Sequence, residues 1–568
     1  MPAPLFIDYS PETPITAAWL NSVSNLLWNV LGDGNNLPAN GDQLATNLKL
    51  ISYHDTIADL RALTTVPSAF LSTRGYHRVG DGAANMYVVA PTGTVATDNG
   101  GTVIVTAGGT ILLLASTEHI TSRTFGTVGD GVTDDTAAMQ SYLNSGLKSW
   151  HVPEGVHLCS ELVIPFVENF CFYGDGPSSQ IKIFGNGIHF PTLANNCFDS
   201  HATIRDLYLD GSLGTANLLD STYTQTLNIE RIFVNNVPVG FSGVKLDGNP
   251  NSSTYAHDVR VTDLRVYSHT AGNAGLALGS FHSDASVTRY QMEGYFNVNY
   301  GVYMSSGAST TTFTDSHIYN AKQNIVFCAG NNTACRWDSV TFDNAQQDLF
   351  YLAGSIQHEF DGCYFESVNP GKSAIVCDNS YQNNWMGTTF NSLSGGSLSC
   401  FREVNGASQN TLEGGSMGNS ADWSNMFQFL TITSWAKGFP GYAPYGSAYA
   451  LTSATGTGVP QGTTTNLGAA GANASIGNTA WPAPFDGYLR FGDIYSVPAV
   501  PAGQSVSVAI QVNGFSEVAG TIGGGGSALE LIPTAPVFVS KGTPISFSVT
   551  TSAGAGTLSF RYSIAMFG

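Results

Sequence analysis

Between residues 204 and 417 one six-residue pattern keeps returning, with apolar or small side chains at positions one, four and six and mostly polar or small ones at two and three. Its copies begin at Ile204, Ile229, Val261, Met292, Phe313, Trp337, Phe360, Trp385 and Leu412, on average about 26 residues apart. Most copies are followed by a second apolar run, such as Val244–Leu246, Leu276–Leu278, Val302–Met304, Ile325–Phe327, Phe350–Leu352, Ile375–Cys377 and Phe427–Phe429. Several runs alternate with period two and favour β-branched or aromatic types, which predicts strands. Gly, Asn, Asp and Ser fill the gaps and supply turn chemistry. A unit of two or three short strands cannot bury its apolar side alone, but stacked units can. The pattern therefore predicts an all-β chain built on a right-handed parallel β-helix, with coils roughly 4.8 Å apart. Trp337, Phe360 and Trp385 should pile up in one interior row. The Leu/Asn consensus of a leucine-rich solenoid is absent.

On either side of the repeat the pattern changes. Residues 1–53 carry Trp19, Leu20, Val23, Leu27, Val30 and Leu31 at three- and four-residue spacings, an amphipathic helix running from about Thr13-Pro14 to Gly32. Its stripe needs a cover: copies of itself, a partner or the next domain. Residues 54–120 read as a small α/β adaptor, with a helix in Asp55–Leu63 and strands around Tyr76, Tyr87–Val89 and Thr102–Val105. Residues 121–435 are the β-helix. Its opening phrase, Thr124–Leu143, predicts a Gly129-Asp-Gly131 turn, Asp134 or Asp135 as N-cap, and a helix with Ala137, Met139 and Leu143 inward. Such a helix would cover the edge of the first coil. Residues 436–480 read as a linker or terminal coils. Residues 481–568 alternate in Tyr488–Phe491, Val506–Val512, Ile545–Val549 and Leu558–Tyr562, which suggests a β-sandwich.

Composition narrows the partners. The 568 residues include 64 glycines, only 11% are charged, and the net charge is −20. That charge disfavours nucleic acid and anionic membrane. The eight cysteines form no CxxC pairs, and Cys363 and Cys377 fall at apolar positions of the repeat, so buried thiols are expected rather than disulfides. No run is long and apolar enough for membrane insertion, and the N-terminus has no signal-peptide pattern. No metal-ligand spacing or phosphate loop appears, and no cofactor is implied.

The chemistry should lie on outward positions. Position seven, read down the stack, gives Asp210, Asn235, Tyr267, Val298, Tyr319, Asp343, Glu366, Asn391 and Gly418; position five includes Arg265, Phe296, His317, Tyr364 and Ser416. Glu366 and Asp343 are the predicted catalytic pair, on adjacent coils at a spacing compatible with two-carboxylate glycoside hydrolysis. His317, Tyr319, Tyr364, Asn391, Tyr267 and Arg265 are expected to bind substrate, the aromatic ones as platforms for sugar rings. A second-choice stack at position two holds Asp338, Asp361 and, further up, Glu293. His317 and Tyr319 are also candidates for base and acid of a lyase, with Arg265 or Arg336 neutralising a uronate. Gly414 to Gly418 matches G-x-S-x-G, but inside a strand, where no nucleophile elbow forms.

The Thr124–Leu143 phrase closely resembles the start of the pectate-lyase-like β-helix of bacteriophage tailspikes and capsular polysaccharide depolymerases. Ile57-Ala-Asp-Leu-Arg61 and Asp98–Ile104 resemble the adaptor that precedes it. The resemblance spans roughly residues 55–430. It implies a homotrimer in the virion, joined to a phage tail or baseplate protein by its N-terminus, that acts on a bacterial surface polysaccharide. Hydrolysis is the expected reaction; β-elimination by a lyase and a non-cleaving glycan-binding spike are the alternatives.

Overall fold

A computed structural model describes residues 51–392, 397–417, 427–428, 434–440, 447–459, 464–467, 481–482, 487–497, 500–513, 515–526, 528–531, 537–540, 543–551 and 558–567. The predicted helix around Trp19–Leu31 lies outside them, as do Gly418 and Phe429. The chain divides into two units, one made of residues up to Val128 with Ala137–Pro153, the other of Gly129–Thr136 with Glu154 onward.

In the first unit, strands Ile51–His54, Phe70–Thr73, Met86–Val89, Ile111–Leu114 and Val103–Val105 lie side by side in that order. The first pair is parallel and the rest antiparallel. Thr56 and Asp59 form a reciprocal capping box that starts the helix Ile57–Arg61. Ile57, Leu60, Leu71, Tyr87, Ile104 and Leu112 make the core. Arg61 grips Asp98 through two bonds of 2.9 and 2.8 Å, tying the helix to the turn before Val103. The strand expected around Tyr76 is a loop instead, because the Asp81 carboxylate takes the backbone N–H groups of Tyr76, His77, Arg78 and Ala83 and bends the chain around itself.

The helix Thr136–Leu143 forms as predicted, with Asp134 accepting the Thr136 N–H at 2.9 Å. Asp135 is buried and accepts from Gly129 N–H at 2.9 Å, with a His157 ring nitrogen 3.2 Å away. Met139, Tyr142 and Leu143 face inward, but Ala137 is exposed. Two residues before Met139 is half a helical turn away, so Ala137 cannot share its face.

The second unit is a parallel β-solenoid of the right-handed type, with about 11 turns. Each turn lays one strand on each of three sheets. On the first sheet Phe172, Ile204, Ile229, Val261, Val287, Phe313, Trp337, Phe360, Trp385, Leu412 and Ala436 stand over one another. The predicted interior row is present: Phe313 stacks on Trp337 at 4.1 Å, Trp337 on Phe360 at 6.1 Å and Phe360 on Trp385 at 4.7 Å, all within 12° of parallel. Phe342, Phe365 and Phe390 form a parallel row on the second sheet.

The six-residue repeat is two short strands and a corner. Position three is left-handed in every turn from Asp206 through Arg231, Asp263, Arg289, Asp315, Ser339, Gly362 and Gly387 to Gly414, with φ between 48° and 66°. Asp, Ser and Gly suit that conformation, and the two arginines hold it through charge. Arg231 pairs with Asp206 and Arg289 with Asp263 across neighbouring turns. Gly414 is therefore a corner residue and Ser416, bonded to Thr389 at 2.9 Å, an outward strand residue, so the G-x-S-x-G match has no elbow behind it.

At one copy the structure shifts the frame of the repeat. The repeat there runs Val287–Met292, not Met292–Asn297: Met292 stands between Val266 and Ile318, at position six. Gly294–Asn297 is a turn in which Tyr295 and Phe296 have positive φ, and Val298 is buried.

All eight cysteines are free, and Cys159, Cys328, Cys335, Cys363, Cys377 and Cys400 are buried. Beyond the solenoid the pairing turns antiparallel. Ser447–Val459, inside the stretch expected to be a linker or terminal coils, is a strand between Trp435–Pro440 and Leu558–Phe567. Gly487–Val497 also pairs Leu558–Phe567, and Ser505–Val512 pairs Phe515–Gly523 and Pro544–Thr551. No described helix is long and apolar enough to cross a membrane.

Candidate functional site

The strands Gln291–Glu293, His317–Ala321, Thr341–Ala345 and Tyr364–Val368 lie on the second sheet in four consecutive turns. Their inward residues are Met292, Ile318, Phe342 and Phe365, all buried. Strand alternation then turns the flanking residues outward. Tyr267, Glu293, Tyr319, Asp343 and Glu366 form one outward column. Arg265, Gln291, His317, Thr341 and Tyr364 form the column beside it, and Asn391 donates to the Tyr364 hydroxyl at 3.2 Å. Asp343 and Glu366 are direct register partners, so their backbones are one strand spacing apart, about 4.8 Å.

Glu293 belongs to this column, not to the position-two stack, for the register reason given above. Asp338 and Asp361 do stack at position two, but on the first sheet, across the left-handed corner from Asp343 and Glu366. Arg336 lies 3.8 Å from both of them and opposite Glu359 in register, so its charge is engaged away from His317 and Tyr319.

Immediately after Tyr319, Asp343 and Glu366 the chain bends again, with Asn320, Asn344 and Ser367 at positive φ. Asn320 donates to Glu293 at 2.7 Å, Asn344 to Asn320 at 3.0 Å and Asn369 to Asn344 at 3.3 Å. This amide ladder fixes the strand ends that carry the acids.

The two acids are shifted in opposite directions. Burial pushes the Asp343 carboxyl up, but His317, whose Nε2 is 4.0 Å from Oδ2, and the nearby Ser367 hydroxyl outweigh it and leave it below the usual range. Glu366 is pushed up, first by burial and then by the Asp343 carboxylate, with His317 offsetting part of the rise. The two carboxyls are thus pushed apart, Asp343 down and Glu366 up, the direction in which an acid and its base or nucleophile divide their work. Burial, with Glu293 and Tyr267 near, raises the Tyr319 phenol against the pull of Gln291, so Tyr319 is a hydrogen-bond donor rather than a base. Two neighbouring carboxyls shifted in opposite directions beside a histidine suit a pair in which one protonates a leaving oxygen and the other assists attack on the sugar carbon.

Tyr208, Phe233 and Tyr267 stack at 5.0 and 5.2 Å within 11° of parallel and remain partly exposed. His317 and Tyr319 are 4.6 Å apart and tilted by 31°. Sequence reasoning also passed over the outward residues of the third sheet, including Tyr303, Phe327 and Tyr351. The signal was the middle letter of Val302–Met304, Val326–Cys328 and Phe350–Leu352, each flanked by buried neighbours. Among the described residues, no group of three or more His, Cys, Asp or Glu is arranged to hold a metal ion.

Residues 54–113 match the family described as phage tail protein small four-stranded β-sheet domain. The four antiparallel strands between Phe70 and Leu114 account for that sheet. Among solved structures, the enzymatically active domain of tailspike protein 4 of bacteriophage CBA120 is similar at TM-score 0.50 and 10% identity, covering 96% of this chain and 80% of that one. The corresponding domain of tailspike protein 2 of the same phage gives 0.48 and 14%, with coverages of 96% and 89%. The tailspike of Acinetobacter baumannii bacteriophage Fri1, a capsular polysaccharide depolymerase, gives 0.44 and 11%, with 91% and 98%. No curated protein sequence matches the chain. The chain thus carries a phage tail β-sheet domain at residues 54–113, followed by a parallel β-solenoid with the fold of a bacteriophage tailspike.

Proposed function

We propose that the chain is a phage tailspike depolymerase that cuts a bacterial surface polysaccharide, capsule or O-antigen, by acid–base glycoside hydrolysis. Glu366 is the general acid and Asp343 its partner, the base or nucleophile. The observation that carries this reading is their placement in adjacent turns with one carboxyl pulled down and the other pushed up. His317 keeps Asp343 ionised. Tyr319, Tyr364, Asn391, Tyr267 and Arg265 line the same face and hold the glycan. Glu293 supports that face through Asn320. In this reading the phage-tail domain places the protein in the virion, its N-terminus meets the tail or baseplate, three copies assemble, and the C-terminal strands form a sandwich that joins them or binds sugar.

β-Elimination is the second reading: His317 is then the base, Tyr319, whose phenol is held up, the acid, and Arg265, two turns from His317 on the same face, the cation beside a uronate, while Arg336 is engaged on the first sheet with Asp338 and Asp361. Digestion of purified capsule and O-antigen polysaccharides tests the reading: hydrolysis yields new reducing ends without ultraviolet absorbance. New ends with absorbance would make the enzyme a lyase, and binding without new ends a receptor-binding spike. Glu366→Gln and Asp343→Asn should each lower the rate by about 10²–10⁴ and leave the far-ultraviolet circular dichroism unchanged.

A further inference from the structure

The outward face of the third sheet carries a row of aromatic side chains that the carboxylate pair does not use. Tyr303, Phe327 and Tyr351 are register partners in consecutive turns, followed by Val376, which is fully buried, and Arg402. Tyr303 and Phe327 stack at 6.0 Å and Phe327 and Tyr351 at 5.5 Å. Tyr300 leans against this stack, 5.3 Å from both Tyr303 and Phe327 but tilted by 41° and 31°, which leaves ring surface that neighbours do not cover. All four rings are partly exposed. Outward sheet positions facing water are ordinarily polar, and a contiguous apolar strip there marks a contact surface.

Polar groups are set along the strip. The Tyr300 hydroxyl donates to Gln323 Oε1 at 2.6 Å, and the Tyr351 hydroxyl to Asp378 Oδ2 at 2.7 Å; Asn405 donates to Asp378 Oδ1 at 2.8 Å. Arg402 lies at the end of the row, its guanidinium 3.9 Å from Asp348, and its Nε is buried with no hydrogen-bond partner. Here two carboxylates and a guanidinium border the carbon strip, a mixture that suits a ligand with both C–H faces and many hydroxyls. Two acids against one base disfavour an anionic ligand. The turns repeat about every 4.8 Å, comparable to the length of one pyranose ring.

We propose that this row is a second glycan-holding surface, separate from the carboxylate pair, which takes uncharged hexopyranose residues of a polysaccharide lying along the solenoid axis. It rests on the reading of the chain as polysaccharide-binding. The aromatic strip takes the C–H faces, Asp378 and Asp348 accept from hydroxyls, and Arg402 donates.

The test uses the full chain carrying Glu366→Gln, with and without Phe327→Ala, Tyr351→Ala or Tyr351→Phe, on an array of purified bacterial capsule and O-antigen polysaccharides. Each Ala variant should bind the polysaccharide that the parent selects about tenfold more weakly. Tyr351→Phe, which keeps the ring and loses only the Asp378 bond, should bind more tightly than Tyr351→Ala. Sedimentation and circular dichroism should match the parent. Unchanged binding overturns the proposal, as does a parent that binds no polysaccharide. A changed oligomeric state in the Ala variants also overturns it, because the row is then an interface between copies. All chains compared carry Glu366→Gln, so the outcome does not depend on whether Glu366 is catalytic. Cleavage by the unsubstituted chain reads that separately.

Discussion

Phe360→Ala tests the link between the inner stack and the acids it positions. Phe360 is fully buried between Trp337 and Trp385 and meets Phe350 edge-on at 5.0 Å. Truncating such a phenylalanine costs about 3–5 kcal/mol through lost transfer energy and the cavity left behind. Neighbouring indoles cannot close the gap without leaving their own stacks. In a solenoid the loss falls on the turn concerned and its neighbours. That turn includes Tyr364–Val368, and hence Glu366. Every 1.4 kcal/mol is tenfold, so about 4 kcal/mol lowers local protection against hydrogen exchange roughly a thousandfold. Mass-spectrometric exchange should show that loss in peptides covering residues 337–390 and no change in those covering 155–235. Tyr364→Ala, outward on the same turn, serves as the comparison and should cost less than about 1 kcal/mol. Equal effects of the two variants, or a loss spread evenly along the chain, would refute the assignment of inner and outer rows.

Three further outcomes are expected. His317→Gln should move both limbs of the pH–rate profile to higher pH, because His317 lowers the pKa of Asp343 and of Glu366; unmoved limbs would remove His317 from the site. At the Gly362 corner, φ is 58° and an added Cβ would meet nothing nearer than 3.9 Å, so the cost of substitution is purely that of the left-handed backbone. Gly362→Asn should then be nearly neutral and Gly362→Val should cost about 1–2 kcal/mol in thermal unfolding. His282 and His358 are fully buried, and burial lowers their pKa to about 4. The unfolded chain takes up these protons first, so stability present above pH 6.5 should be lost as pH falls towards 4, by roughly 3 kcal/mol for each histidine. The His282→Leu, His358→Leu chain should lose less over the same window, measured by thermal melts at pH 7 and 4.5; equal losses would count against the cause.

What could be read from the sequence was whatever repeats. Trp337, Phe360 and Trp385 share one inward position, and large apolar side chains spaced by a turn announce an interior row. The same periodicity set Asp343 beside Glu366. It failed at Met292, because Val287–Met292 is followed by Gly294-Tyr-Phe-Asn297, whose aromatic letters mimic the next copy; only pairing with Tyr267 and Tyr319 fixes the frame and brings Glu293 into the column. That two carboxyls so close would push one pKa up was legible, but not which one, since the shifts of Asp343 and Glu366 depend on burial and on His317 in the preceding turn. Nor was the pairing of Ser447–Val459 with Leu558–Phe567, which joins segments about a hundred residues apart through small residues without a distinctive alternation.

The left-handed corner has one more consequence, for how the chain finds its order. Down that edge the sign of charge alternates, Asp206, Arg231, Asp263, Arg289, Asp315, so each turn meets an opposite neighbour. If a turn were looped out during assembly, Asp206 would face Asp263, or Arg231 would face Arg289, and the mistake would repel itself. Past Ser339 the edge carries no charge, and there the sizes of the inner side chains and the amide ladders must proofread the count.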